Sequence, residues 1–550
     1  MDKNRKSLDG VRVKEIGFIF CLVAFAGVLR IPSLTQPLGP DQGIMAVIGQ
    51  GILNGKLPYR DYWEMGSPAV FFTYALMFKL FGIRMVAIPI TDILVSMLTT
   101  LLIYLLGRLV WNREAGYASA LFFAFFSNGV RLGMHAGGDI AFGTFWYIAQ
   151  RETFMLPLIV GSFYCILRAE RGGKSLWMLG WSGFLSGLTF IYKFPSLLIF
   201  FCLLLYLNKA VLIPRVKERW DGLLIKNFVL ISGFVLALAP FVLFFISQGA
   251  FHEMTDVIFK YVYSVYGNIE HNYLSIIKMA LTRTFFIAQE NFILWIFFIA
   301  TSIYMIFNER SKENLLMVLW GLASVLFVIS HREFFGYHYL MVFPPFSMLA
   351  GYGIIKALGP RINLREIFTE EPGKAFIIFA ILANLVFFAT LNYMHYTKFY
   401  YYVTGKISQE EYYAFFDAYP KHDYSFPADY EAARYIVNHT EETDRIFVLG
   451  GTESVIYFLS QRTSPSRFIF SWVLFSRTHG RVPQAETYRQ ELLTDLRRKS
   501  PKYIVTIRPL DTFEQFSDIY SFIRNHYLLE KKLQDDRFLY VDRKYEAGKI

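Results

Sequence analysis

Between Gly39 and Pro68 the chain reads GPDQGIMAVIGQGILNGKLPYRDYWEMGSP, a stretch rich in groups that move protons and hold anions. Asp41 stands just before a mixed polar and apolar pattern from Gly43 to Leu53, which predicts an amphipathic helix at a membrane interface. Pro-Asp ahead of a helical pattern is a common start signal, so Asp41 can be an N-cap. It can equally be a general base acting on a substrate delivered along the membrane, and both roles can hold together. Lys56 and Arg60 follow in the same stretch, and Glu64 closes it beside Trp63.

Other candidates lie further along. Lys193 falls between two apolar runs, where a charge is costly unless paired or wet, so it is either a snorkelling lysine or a functional cation. Arg332, with His331, His338, Tyr337 and Tyr339, marks another helix junction, readable as a site or as an interfacial aromatic belt. Arg151 and Glu152 begin an apolar run with Asp139 upstream; they can position a substrate, hold a divalent metal or form a structural ion pair. His135 and Asp139 have i,i+4 spacing, but two ligands make a weak metal signal, so the metal is left open and no cofactor is assigned. The segment from Phe251 to Tyr273 carries Tyr261, Tyr263, Tyr266, His252 and His271, which can face sugar rings or the interface.

These residues are set in an apolar chain. Of 550 residues 54% are hydrophobic, 18% aromatic and only 18% charged, which points to lipid as the main solvent. The net charge of +11 sits in short clusters between apolar runs rather than along one polar face, so no nucleic-acid partner is expected. Cys21, Cys165 and Cys202 all lie in apolar segments. A basic start followed by residues 16 to 31 without a small-residue cleavage site reads as an uncleaved first helix.

Apolar runs suited to spanning helices cover roughly 16–31, 85–107, 115–127, 152–168, 176–191, 194–213, 228–247, 285–307, 315–330, 338–357 and 375–391, about eleven transmembrane helices. With the basic N-terminus in the cytoplasm, Lys and Arg recur in every second loop, among them Arg108, Arg113, Arg168, Arg171, Lys174, Lys209, Arg215, Arg310 and Lys374. The run at 68–83 would reverse this pattern if it spanned, so it is laid along the surface. Three outside segments result, 32–84, 128–151 and 248–284, and the tail after about 391 lies outside as well.

The tail alternates short strands (RIFVLGG, KYIVTIRP) with helices (AARYIVNHT, ESVIYFLS, ETYRQELLTDLRRK) and closes on a helix and hairpin. It reads as a small α/β soluble domain, giving two domains, 1–391 and 392–550. VLGG lacks the spacing of a nucleotide fingerprint and is taken as an ordinary turn, and the Asn438-His439-Thr440 triplet as a chance match.

The Asp41-Gln42-Gly43 start, the IGQGILNGKLPYRD block, then Trp63-Glu64 and Pro68, resemble the first outside loop of bacterial GT-C glycosyltransferases. The likeness is to the group similar to protein O-mannosyltransferases and the lipid A aminoarabinose transferase. It extends through TFMLPLIV, the Tyr192-Lys193 break, REFFGYHYL and IFVLGGTESVIYFLSQR. The resemblance implies a polytopic α-helical GT-C-like membrane fold and an inverting transfer of sugar from a polyprenyl-phosphate donor to an acceptor hydroxyl. It makes Asp41 the base. Lys193 leads the candidates for the donor phosphate, with Arg332, Lys56 and Arg60 behind it; Glu64, Asp139, Arg151, Glu152, His331, His338 and Tyr337 would hold the acceptor or shape the site. In that family the acidic residue is often followed by Glu, where this chain has Gln42, and Met65-Gly66-Ser67-Pro68 lacks a lysine usual there. The implied partners are membrane lipid, the lipid-linked donor and an extracytoplasmic glycan, lipid or protein acceptor, at the inner (plasma) membrane. A transporter or flippase of a lipid-linked sugar is the alternative, though no internal repeat supports it.

Overall fold

The computed structural model describes residues 2–128, 148–172, 176–208, 220–262, 273–332, 334–359, 367, 369–416, 424–450, 454–475 and 483–546. Asp139, His135, Tyr263, Tyr266 and His271 lie outside the described residues, as do Lys174, Lys209 and Arg215.

The first part of the chain is helical: α1 Asp2–Val28, α2 Pro40–Leu53, α3 Ala69–Phe81, α4 Ala87–Val110, α5 Arg113–Phe126, α6 Arg151–Gly172, α7 Leu176–Tyr192, α8 Leu197–Leu207 and α9 Trp220–Ser247. Beyond it come α10 Tyr273–Glu290, α11 Phe292–Asn308, α12 Lys312–Ser330, α13 Phe343–Leu358 and α14 Pro372–Val403. Every one of the eleven apolar runs overlaps a helix. Among the described residues six helices are individually long and apolar enough to cross a membrane, or seven if α10 and α11, bent by 102° at their junction, make one span. The chain is therefore a multi-pass membrane protein.

Several apolar helices are short, α3 among them with α5 and α8. At 13 residues α3 reaches about 20 Å, short of the roughly 30 Å hydrocarbon core. It lies against α2, so tightly that a Cβ on Gly49 would stand 2.6 Å from Tyr74. The other end of the helical part departs from expectation. The apolar run stops near 391, yet α14 continues as one helix of 32 residues to Val403, because loss of hydropathy does not break a helix that meets no Gly or Pro. Where α7 crosses α9 the backbones touch, and a Cβ on Gly183 would stand 1.9 Å from the Leu230 carbonyl oxygen, so only glycine allows that approach.

The tail folds as expected into a small α/β unit: α15 Phe426–His439, β1 Ile446–Leu449, α16 Val455–Ser460, α17 Pro483–Arg498, β2 Tyr503–Thr506, α18 Ser517–His526, β3 Tyr527–Lys532 and β4 Phe538–Asp542. The sheet order is β1-β2-β4-β3, with β1 and β2 parallel (Ile446 opposite Tyr503) and the other neighbours antiparallel (Tyr503 opposite Val541). After β1, Gly450 turns at φ 90° against the Phe513 ring, an ordinary tight turn.

The tail shares its core with the first outside loop. Ile44, Tyr59 and Trp63 are buried in one cluster with Leu449, Val455 and Phe468. The Trp63 amide donates to the Arg467 carbonyl at 2.8 Å, and Arg467 Nη1 donates to the Tyr59 carbonyl at 3.1 Å. The Trp63 ring also meets Tyr261 at 4.9 Å and Tyr488 at 5.7 Å between centroids. So the loop that carries Asp41 is clamped between the helices and the tail.

Candidate functional site

The site begins at the N-terminus of α2. Gly39, not Asp41, is its N-cap: the Gly39 amide donates to Gln42 Oε1 at 2.6 Å, and Gln42 Nε2 donates on to the Ile148 carbonyl at 2.7 Å. Asp41 falls in the first turn, where the helix dipole favours a carboxylate, and its side chain is spared from capping. The glutamine that replaces a second acid thus does structural work.

The sharp loop after α2 brings Glu64 to the same place. Tyr59 is forced into the left-handed region at φ 68°, fully buried, and its hydroxyl donates to the Gly66 carbonyl at 2.7 Å. Glu64 Oε1 accepts from the Gly66 amide at 3.0 Å and from Arg151 Nη2 at 3.3 Å. A Cβ at position 66 would stand 2.0 Å from Arg151 Nη2. The segment without a lysine therefore admits a cation from another helix.

Arg151 and Glu152 open α6. Their approach is pinned by a second buried pair, Arg30 and Asp92 at 3.5 Å, because Asp92 Oδ1 also accepts from the Ala149 amide at 2.7 Å. Glu152 is fully buried and takes the Lys193 ammonium, which the extended break after α7 aims inward and which stands 5.4 Å from the Tyr337 ring centroid. His338 Nε2 lies 3.9 Å from Glu152 Oε1, and the His331 ring packs on His338 at 4.2 Å. His331 Nδ1 donates to the Phe327 carbonyl at 2.8 Å, which leaves its Nε2 bare.

Asp41 is held differently. It lies beside the Tyr337 hydroxyl and feels Arg151 and Lys193, but among the described residues no ion pair joins it. Burial raises its pKa above the usual carboxylate value, against the pull of Arg151, Lys193 and Tyr337. Burial likewise raises that of Glu64, opposed first by Arg151. Burial, with Lys193 next, pushes His331 down to about 3 and His338 down as well, so both rings are neutral at pH 7.

The structure thus brings Asp41, Glu64, Arg151, Glu152, Lys193, His331, Tyr337 and His338 together. Arg332 stands exposed at the rim in the left-handed region, φ 59°. Lys56 and Arg60 do not join them: they lie past the other end of α2, which is about 20 Å long, and Arg60 faces Asp61 and the Gln248 carbonyl. Sequence reasoning missed Tyr59, the strained residue that sets the Glu64 loop; a tyrosine in a Pro-Tyr-Arg-Asp turn carries no signal of it.

Glu152, His331 and His338 offer three donor atoms within 4.8 Å of one another, a possible metal set. The Lys193 ammonium stands on Glu152 Oε1, while Glu152 Oε2 and His338 Nδ1 are buried with no hydrogen-bond partner among the described residues.

The family model described as dolichyl-phosphate-mannose-protein mannosyltransferase matches residues 66–246, about a third of the chain. No curated protein matches. Among solved structures the chain is similar to ArnT from Cupriavidus metallidurans in the apo state, with a TM-score of 0.56 and 13% identity over 96% of this chain and 98% of that one. The same protein bound to undecaprenyl phosphate gives a TM-score of 0.55 and 13% identity over 95% and 98%. The Archaeoglobus fulgidus oligosaccharyltransferase in complex with Zn and sulfate gives 0.54 and 15% over 96% of this chain and 73% of that one. The chain has the GT-C fold. The likeness to ArnT covers nearly the whole of both chains.

Proposed function

We propose that this chain is an inverting membrane glycosyltransferase that moves a sugar from a polyprenyl-phosphate donor to an acceptor hydroxyl, with Asp41 as general base. One observation carries the reading. Of the three carboxylates gathered at the site, Glu64 is matched by Arg151 and Glu152 by Lys193, while Asp41 has the Tyr337 hydroxyl beside it and no ion pair among the described residues. A carboxylate half-buried, set at a helix start and left without a cation is a base in waiting.

In the proposed step the acceptor O–H gives its proton to Asp41 as its oxygen bonds to the anomeric carbon. The carbon–oxygen bond to phosphate breaks on the opposite face and its electron pair leaves with the polyprenyl phosphate. Because that leaving group is already an anion, little acid assistance is needed, and the charge falls to Lys193, Arg151 and the rim cation Arg332. Neutral His331 and His338 beside Lys193 add no competing charge. Glu152 and Glu64 hold the two cations in place, and Tyr337 orients Asp41.

The lipid-phosphate donor is supported by the fold's company: one ArnT structure holds undecaprenyl phosphate, and an archaeal oligosaccharyltransferase structure holds a dolichol-phosphate. On this reading the N-terminus lies in the cytoplasm of a plasma-membrane protein, with the site and tail on the extracytoplasmic side, and the alternation of Lys and Arg between loops supports that orientation. The test is to reconstitute the purified protein in vesicles with undecaprenyl-phosphate sugars and a pool of envelope glycan and lipid acceptors. Sugar appearing on an acceptor with inverted anomeric configuration is the expected result. Movement of the lipid-linked sugar across the bilayer without transfer would replace this reading by a transporter.

A further inference from the structure

At the far end of α2 from Asp41, between the first outside loop and the tail, lies a cavity of about 430 Å³. One face of α2, Val47, Gln50, Gly51 and Asn54, forms one wall, and the segment from Gln461 to Arg467 and the end of α17 form the others. Seven basic side chains line it against three carboxylates. Arg60 is matched by Asp61, Arg467 by Glu491 in a two-pronged bond of 2.7 and 2.8 Å, and Arg498 by Asp495. Arg462 spends its guanidinium on Thr440 and the Ser460 carbonyl. Lys56, Arg445 and Lys499 have no carboxylate partner among the described residues.

We propose that this cavity binds an anionic glycan, the stretch of acceptor that trails behind the hydroxyl presented to Asp41. The proposal rests on the glycosyltransferase reading above and names the acceptor class. Three unmatched cations facing one hollow recognise carboxylate or phosphate groups. The amides of Gln50, Asn54 and Gln461 and the hydroxyls of Thr463 and Ser464 supply the directed bonds that sugar hydroxyls need. A lipid tail would want an apolar wall, and peptide recognition would want apolar side-chain pockets; this wall is more polar than apolar, with Val47, Tyr457, Pro465 and Ile469 among its polar and charged residues.

The distances suit a polymer. Val47 is about 9 Å and Gln50 about 14 Å along the helix axis from Asp41, within the reach of a few sugar units passing outside the Gly43–Val455 contact that closes the direct face of α2. The cavity is also built rather than incidental. Tyr62 fits only because position 51 is glycine, since a Cβ there would stand 2.2 Å from the Tyr62 ring. Burial, then Asp61, pushes the Tyr62 phenol up to about 12, so its hydroxyl remains a donor.

The experiment is a binding titration on the full-length protein in detergent. The probes are a hexagalacturonate, a phosphorylated maltohexaose, neutral maltohexaose and hexaglutamate, at two salt concentrations. The acidic saccharides should bind at least about tenfold more tightly than neutral maltohexaose, and the double variant Arg445→Gln/Lys499→Gln should lose about tenfold or more of that affinity with a shallower salt dependence. Whether carboxylate or phosphate is preferred shows in the first two arms. Equal binding of neutral and acidic saccharides, hexaglutamate outbinding both, or a double variant that binds like wild type would each overturn the proposal. Binding is measured in Asp41→Asn as well and should be unchanged there. A failure here with Asp41-dependent transfer intact removes only the acceptor class.

Discussion

The two ends of α2 present opposite solutions to holding charge. At the N-terminal end, Arg151 and Lys193 are enclosed, and each is answered by a carboxylate on a neighbouring element. At the C-terminal end, Lys56, Arg445 and Lys499 line a hollow and have no carboxylate partner among the described residues. Where water is excluded an uncompensated ion is too expensive to keep, so buried Glu64 and Glu152 each hold a cation, while half-buried Asp41 has none among the described residues. Where water has access, surplus charge costs little and can be reserved for a ligand. The first arrangement suits a reaction and the second recognition.

That contrast breaks most visibly in stability. Lys193→Met leaves Glu152 buried without its cation and should destabilise the protein by about 3–5 kcal/mol in thermal unfolding, whereas Lys193→Met/Glu152→Gln should recover most of the loss. Lys499→Gln, at the open end, should change stability by no more than about 0.5 kcal/mol. If both lysines cost the same, the division between enclosed and open charge is wrong.

A smaller effect is expected from Gly51→Ala. Its Cβ would drive the Tyr62 ring out of place, for about 1–3 kcal/mol, and should weaken binding at the cavity while leaving events at Asp41 untouched. A well-ordered Tyr62 and unaltered melting in that variant would show that the wall is softer than its packing implies.

Smallest is the pH dependence. The folded pKa of His331 is depressed to about 3 from an ordinary 6.5, so the unfolded chain takes up a proton first. Its contribution to stability is therefore present above about pH 6.5 and is lost as pH falls towards 3. The melting temperature should decline on acidification through that window, and His331→Gln should flatten the decline.

Much of this was legible beforehand. The eleven apolar runs each mark a helix, because burial in lipid demands apolar residues all round and leaves a dense signal. The strands and helices of the tail follow their periodicity. Lys193 stood out as a charge where charges are costly, and Asp41 as a carboxylate just ahead of an interfacial helix. Less was legible about pairing. That Arg151 answers Glu64 depends on a loop bent by a left-handed Tyr59 and on a glycine at 66, neither of which has a pattern in one sequence. Lys56 could have been set aside from length alone, since a helix running from Asp41 to Leu53 already carries it far from the base. The capping role expected of Asp41 went to Gly39 and Gln42, because Pro40 and Asp41 fall inside the first turn.

The central claim is that Asp41 removes the acceptor proton. Single-turnover transfer from an undecaprenyl-phosphate sugar by Asp41→Asn, with donor binding measured in the same preparation, tests it most directly. The account predicts a rate about 100 to 10,000 times below wild type with donor binding preserved; transfer at the wild-type rate would contradict it.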